Sequence, residues 1–212
     1  MKKLIGLDRG QASALVVVEC QNRQTNPAYL DVNRQGLMDQ VVSRDIISKI
    51  NTLAATFRAA GRPVIFATIA PRPGFVGFKV NCALAAQLVK NGQMTMGARA
   101  AAVNDDLLVT DDDIVTNRTH GMAIFTGTQM DAILRGFGVE TVVLAGVSTN
   151  IALPGSACEA VGLGYNVVLA EDCTAGGSAE THQMQVTMHL PFLATMATGA
   201  QIAEVLAGSK VA

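Results

Sequence analysis

Few residues in this chain of 212 have side chains suited to chemistry, and they gather where apolar runs stop. Glu19 closes the run Ala14-Leu15-Val16-Val17-Val18, with Gln21 and Asn22 close behind. A carboxylate capping such a run is partly desolvated, which favours its neutral form and suits general acid or base work. The plainer reading is an acid that accepts main-chain N–H bonds from a neighbouring loop. His120 lies in the loop Asn117-Arg118-Thr119-His120-Gly121-Met122. Imidazole titrates near neutrality, so it suits proton transfer, although a solvated loop histidine fits the same pattern. The third group is Gly146-Val147-Ser148-Thr149-Asn150, where glycine permits a tight turn and short polar side chains hold a ligand or cap a helix. Ser148 as a nucleophile would need a neighbouring base, and no G-x-S-x-G elbow surrounds it.

Other candidates fall away. Cys20, Cys82, Cys158 and Cys173 have neither CxxC pairing nor metal-type spacing and read as reduced thiols. His182 and His189 share one helix face about two turns apart, too far for one metal ion, and read as structural. Gly162-Leu163-Gly164 follows a helix instead of opening one, so it is a cap and not a dinucleotide fingerprint. No metal and no cofactor is expected.

The elements that must position these groups alternate in type. Ala14–Val18, Val64–Thr68, Ile114–Thr116, Thr141–Ala145, Asn166–Ala170 and Ala194–Thr198 read as short buried strands. Asp45–Ala60 carries apolar residues at Ile46, Ile47, Ile50, Leu53, Ala54 and Phe57, the stripe of an amphipathic helix. Further helices are read at Ala83–Lys90, Thr128–Gly136, Pro154–Gly162, Ser178–His189 and Ala200–Leu206. Cys20–Gly36 reads as loop, and the irregular stretch Ile69–Gly97 reads as a lid or interface segment. Strands alternating with helices imply βαβ units: an α/β fold of three layers, α/β/α, with a parallel sheet of about six strands. Residues 1–212 form one domain. Ligands of such sheets bind beyond the carboxyl ends of the strands, where Glu19, His120 and the 146–150 turn all fall.

Half of the residues are hydrophobic and 16% are charged, which fits a sheet covered on both faces with further burial in a homo-oligomer, a dimer or tetramer. A net charge of −1 and 4% aromatics without tryptophan offer no footprint for nucleic acid or an anionic membrane. Leu4–Leu7 is too short for a signal segment, and Thr141–Ala170 is too interrupted for a membrane span. The expectation is a soluble, cytoplasmic protein with a small-molecule substrate.

Four segments carry a resemblance: LVVVECQN (Leu15–Asn22), FTGT (Phe125–Thr128), VETVVLAGVSTNIAL (Val139–Leu153) and LGYNVVLAEDCTAG (Leu163–Gly176). In order and spacing the chain resembles the isochorismatase-like superfamily of cysteine hydrolases from about Ala14 to Leu206, the G-V-x-T-N loop being the most specific part. The resemblance implies a Rossmann-like α/β/α domain, a homo-oligomer, and a cis peptide in the turn at Val147–Ser148. Typical amidohydrolase members use an Asp after the first strand, a Lys after the third, and a Cys two residues past the loop. The thiolate attacks a carbonyl, the Asp moves the proton, and loop N–H groups hold the oxyanion.

Here all three positions depart. Glu19 keeps the carboxylate but is longer by one methylene. The Lys position holds Asn117 or Thr119, depending on the anchor, with Arg118 between them. The Cys position holds Ala152, whose methyl cannot attack. Cys158 lies about 9 Å along the helix and rotated by roughly 240°, and Cys20 points to the opposite face from Glu19. Cys173 ends at the correct edge of the sheet but is expected to be inert. Three readings follow. One is the isochorismatase branch, where a carboxylic acid protonates a vinyl ether. The second is a divergent hydrolase using Glu19 as general acid or base with help from His120. The third is a non-catalytic ligand-binding or structural oligomer. The reading carried forward is a small-molecule hydrolase without a cysteine nucleophile, with Gln21, Asn22, Arg118, Met122, Phe125, Val147, Ser148, Thr149 and Ala152 around the substrate.

Overall fold

The structure, a computed structural model, describes residues 3–29 and 35–208. Six strands form one parallel sheet in the order β3-β2-β1-β4-β5-β6: β1 Ser13–Val18, β2 Val64–Ile69, β3 Ile114–Arg118, β4 Thr141–Val147, β5 Asn166–Ala175 and β6 Thr195–Ala197. Every residue of β1, β2 and β4 is buried, which is why these strands read as unbroken apolar runs and not as alternation.

Successive residues feed opposite cores. Leu15, Val17, Phe66, Val143 and Ala145 pack with α3 (Ile46–Ala59) and α8 (Gly199–Gly208). Ala14, Val16, Val18, Ile65, Val142 and Leu144 pack with α5 (Met130–Gly136) and α6 (Ala152–Gly162). Helix α3 buries Ile46, Ile50, Leu53, Ala54 and Phe57, the stripe expected from spacing. Each fully buried Leu, Ile or Phe contributes about 1.5–3 kcal/mol against its exposed state. The α/β/α sandwich and the parallel six-stranded sheet are as expected.

Several boundaries differ. The stretch read as loop after Glu19 contains the short helix α1 (Asn22–Thr25), and α2 (Gln35–Ser43) is an unanticipated helix that buries only Met38 and Val41. Helix α4 spans Ala83–Asn91. Helix α7 stops at Met184 and continues as a wider turn through His189. Strand β5 runs five residues past Ala170 because its middle bulges: Leu144 pairs with Leu169, but Gly146 pairs with Thr174. The polar residues Glu171 and Asp172 lie in that bulge, which is why the apolar run appeared to end there. Among the described residues no helix is long and apolar enough to cross a membrane.

The first crossover from β1 to β2 builds the sheet in one direction, and the later strands extend it in the other from β4. The order therefore reverses between β1 and β4, and a crevice opens beyond their carboxyl ends. Glu19 follows one of these strands and the glycine turn follows the other.

Candidate active site

Glu19 takes φ +50°, in the left-handed region that a side chain larger than glycine rarely adopts. Its N–H donates to Ala67 O at 2.8 Å, and its carbonyl accepts from Gln21 N at 2.8 Å. These bonds hold the strained turn that aims the side chain out of the sheet. The carboxylate meets Arg118, the last residue of β3, whose Nη2 donates to Glu19 Oε1. Arg118 is 4% exposed, its Nε lies 3.4 Å from Gly121 O, and its Nη1 is buried without a partner among the described residues. The basic residue at the end of β3 is thus Arg118. Asn117, one of the two positions expected to hold it, is instead spent on Thr68 and the Ala70 carbonyl.

The turn after β4 faces this pair. Gly146 has φ +100°, and a Cβ there would run into the carbonyl oxygen of Val18 and the Cys20 sulfur. Only glycine lets β4 pass β1 this closely. The Val147–Ser148 peptide is cis. Thr149, Ile151 and Leu153 place their N–H groups on Ala175 O, Ser148 O and Ser148 O. The N–H groups of Asn150 and Ala152 have no acceptor among the described residues, so they remain available to an oxyanion. Helix α6 begins at Ala152.

Between these elements lies a cavity of about 240 Å³. Glu19, Val147, Ser148 and the buried Ala152 line it, and Met122 closes one side. Phe78, Leu84, Ala85 and Leu88 supply a second wall, so the irregular Ile69–Gly97 stretch does shape the pocket.

Six expected site residues are absent from the cavity lining: Arg118, which stands behind Glu19, and the five that follow. His120 lies in a neighbouring hollow with Thr119, Gly121 and Glu159, sharing only Met122 with the cavity. Its Nε2 is 3.2 Å from Lys79 O, and its ring packs 5.1 Å from that of Phe78, so it does not share the cavity with Glu19. Gln21 is wholly buried and clamps Ile69 and Ala101 through main-chain bonds of 2.6–3.0 Å. Asn22 binds Arg99 O and Asp105. Both carboxamides pin the 99–105 segment to the strand ends. Phe125 packs in the core, its ring 6.0 Å from that of Tyr165. Thr149 is fully buried, its hydroxyl 3.2 Å from His182 Nδ1.

That last contact opens a network that the spacing of residues did not reveal. His182 Nε2 is 3.0 Å from Glu171 Oε1, which also accepts from Arg44 Nη2 at 2.5 Å. The hydrogen bond from His182, with Arg44 adding to it, outweighs desolvation and holds Glu171 down at about 2. Gly176 lets α7 come this close: a Cβ there would sit 2.5 Å from Thr149 Oγ1 and 3.2 Å from His182 Cβ. Gln24 and Asn150 also line the cavity and were missed. The polar run after Glu19 made Gln24 indistinguishable from its neighbours.

None of the thiols reaches the cavity lining. Burial, then the charge of Glu19, pushes the Cys20 thiol far up. Burial, then Asp172, does the same to Cys173. Among the described residues no group of three His, Cys, Asp or Glu side chains is placed to hold a metal ion.

Known proteins place this fold. The isochorismatase domain model matches residues 13–201, a span that contains all six strands. The chain is 31% identical over 163 residues to the isochorismatase family protein YecD of Escherichia coli O157:H7, covering 76% of this chain and 84% of that one. An isochorismatase family protein from Burkholderia thailandensis has a similar structure, with a TM-score of 0.74 and 28% identity over 92% of this chain and 96% of the other. An N-carbamoylsarcosine amidase from Thermoplasma acidophilum shares the fold at a TM-score of 0.67 and 22% identity, over 89% and 97% of the two chains. With a family model matched over most of its length, the chain belongs to the isochorismatase family.

Proposed function

We propose that the chain is a small-molecule hydrolase that works without a cysteine nucleophile, with Glu19 acting on water. One observation carries this reading: Glu19 opens on the same cavity as the Ala152 methyl, one oxygen held by Arg118 and the other, Oε2, with no partner among the described residues. A carboxylate oriented by a guanidinium at one oxygen has the other free as a base.

In this reading a water molecule beside Ala152 attacks a carbonyl carbon while its proton passes to Glu19 Oε2. The carbonyl π electrons move to oxygen, where the N–H groups of Asn150 and Ala152 are available to hold them. Collapse of the tetrahedral intermediate expels the amine, which takes the proton back from Glu19. The ion pair with Arg118 favours this base role, and hence a C–N bond, over protonation of a vinyl ether by a neutral Glu19. The amidase among the structures of like fold agrees with that bond type. His120 has no part in it, because it lies in the next hollow. The reading keeps the chain a homo-oligomer, supported by the exposed Met184, Met188 and Phe192.

Ala152 itself favours a second reading, a ligand-binding relative with no turnover. A panel of amides and enol ethers separates the two. Hydrolysis that disappears in E19Q and persists in C173A supports the enzyme. Hydrolysis that survives E19Q, or is lost in C173A alone, removes the proposed mechanism, and ligand binding without any hydrolysis selects the second reading.

A further inference from the structure

Helix α2 forms part of the cavity wall with little apolar packing to hold it there. It buries only Met38 and Val41, while Gly36 and Leu37 in its first turn line the cavity. Its place is set by polar and main-chain contacts at both ends. At the first end, a Cβ on Gly36 would strike the Gly177 carbonyl, and Gly177 N–H donates to Asn150 Oδ1 at 3.1 Å. At the second end, Arg44 directly follows the helix, its N–H bonded back to Gln40 O at 3.1 Å. The Arg44 guanidinium donates to Thr174 O at 2.9 Å, to Glu171 O at 3.1 Å and to Glu171 Oε1 at 2.5 Å.

Glu171 Oε1 also has a second arm. His182 Nε2 lies 3.0 Å from it, and a carboxylate only accepts, so Nε2 is the donor. In the neutral ring Nδ1 then accepts the Thr149 hydroxyl, 3.2 Å away. His182 and Thr149 are 2% and 0% exposed. Neither can trade its partner for water, and losing one leaves a buried polar group bare. Thr149 N–H is bonded to Ala175 O at 2.9 Å. With side chain and main chain both held, residue 149 cannot swing, and the peptide that carries the Asn150 N–H is fixed with it. One carboxylate oxygen in the β5 bulge therefore ties together two walls that lie about a hundred residues apart in sequence.

We propose that Glu171 is a positioning residue of this cavity, holding the 147–153 turn through His182 and Thr149 and holding α2 through Arg44. Its effect on turnover rests on the reading of the cavity as a hydrolase site, whereas its hold on the two walls does not. The turn carries the N–H groups available to an oxyanion, so that arm acts on the transition state. Helix α2 meets the ligand throughout the reaction, so the other arm acts on binding.

The test is hydrogen–deuterium exchange of the full chain, read by mass spectrometry. E171M speeds exchange about fivefold or more in both 35–43 and 147–153 and leaves α3 unchanged, because it releases both arms without unfolding the core. R44M speeds the first segment only, and T149V the second only. Where E171M is too unstable to purify, E171Q, which keeps an acceptor oxygen but loses the charge, shows the same pattern at smaller amplitude. No rise, a rise in one segment only, or a rise that reaches α3 equally overturns the proposal. On any amide that the parent hydrolyses, T149V lowers kcat about tenfold with little change in KM, and R44M raises KM about tenfold with little change in kcat. The same change in both constants in both variants also overturns it. A parent that hydrolyses nothing defeats the hydrolase reading alone, and the exchange pattern still decides the role of Glu171.

Discussion

Arg118 Nη2 donates to Glu19 Oε1 across 99 residues of sequence, joining the end of β3 to the end of β1 over the intervening β2. The side chains are unequally sheltered, Arg118 at 3% exposure and Glu19 at 18%. The two halves of the pair should therefore respond differently to removal. Glu19→Leu strands a buried guanidinium and is expected to cost about 3–5 kcal/mol. Arg118→Met leaves a carboxylate that reaches the cavity and costs less, and the double variant costs less than the sum of the two. Urea denaturation of the four proteins measures this. In turnover, Glu19→Gln is expected to lower kcat by roughly 10²–10⁴.

Alkylation tests the placement of the thiols. Cys82 and Cys158 are exposed, whereas Cys20 and Cys173 are buried with their thiols pushed up by burial. Native protein treated with iodoacetamide is expected to label at the first pair only. Ala152→Cys adds a third reactive site, because that position lines the cavity, and mass spectrometry counts it. Failure of the new thiol to label would mean that position 152 does not open on solvent-accessible space.

Acid stability should report Glu171. Its folded value of about 2 lies below the ordinary 4.5, so the unfolded chain binds more protons between those values. The stabilisation is complete above about pH 4.5 and is lost as pH falls toward about 2. Glu171→Gln is expected to flatten that part of the curve, measured as the urea midpoint at successive pH values. A variant curve as steep as that of the parent would show that the His182–Glu171–Arg44 network is not formed in solution.

At Gly146 a methyl would strike the main chain of β1, and the φ of +100° is unfavourable to any side chain. Gly146→Ala is expected to cost at least about 2–3 kcal/mol. Gly10, also at positive φ but with open space around it, serves as the control: Gly10→Ala should cost about 1–2 kcal/mol from backbone strain alone. Thermal melts of both variants measure the difference.

Strands and their order along the chain were legible because buried parallel strands announce themselves as apolar runs, and α3 announced itself by its stripe. Glu19 and Ala152 were legible through the ends of such runs and the resemblance. Pairwise geometry was not. Arg118 sits in a polar stretch whose alternation could not show which residue turns toward β1, and only the sheet order brings it to Glu19. His120 was favoured by residue type, yet the Phe78 ring holds it in another hollow. Gln21, Asn22 and Gln24 look alike in sequence. Two are tied down by main chain from the 99–105 segment, far away along the chain, and the carbonyl oxygen of the third has no partner among the described residues. No local pattern encodes that distinction.

The close passage of β4 beside β1 at Gly146 means that Glu19 and Val147, the two strand ends that line the crevice, are set apart by peptide backbone and not by a side chain. Their spacing is dictated by the pairing of the two strands. Exchanges at Gln87 or Asn150 would then reshape the walls of the crevice while that spacing stays fixed.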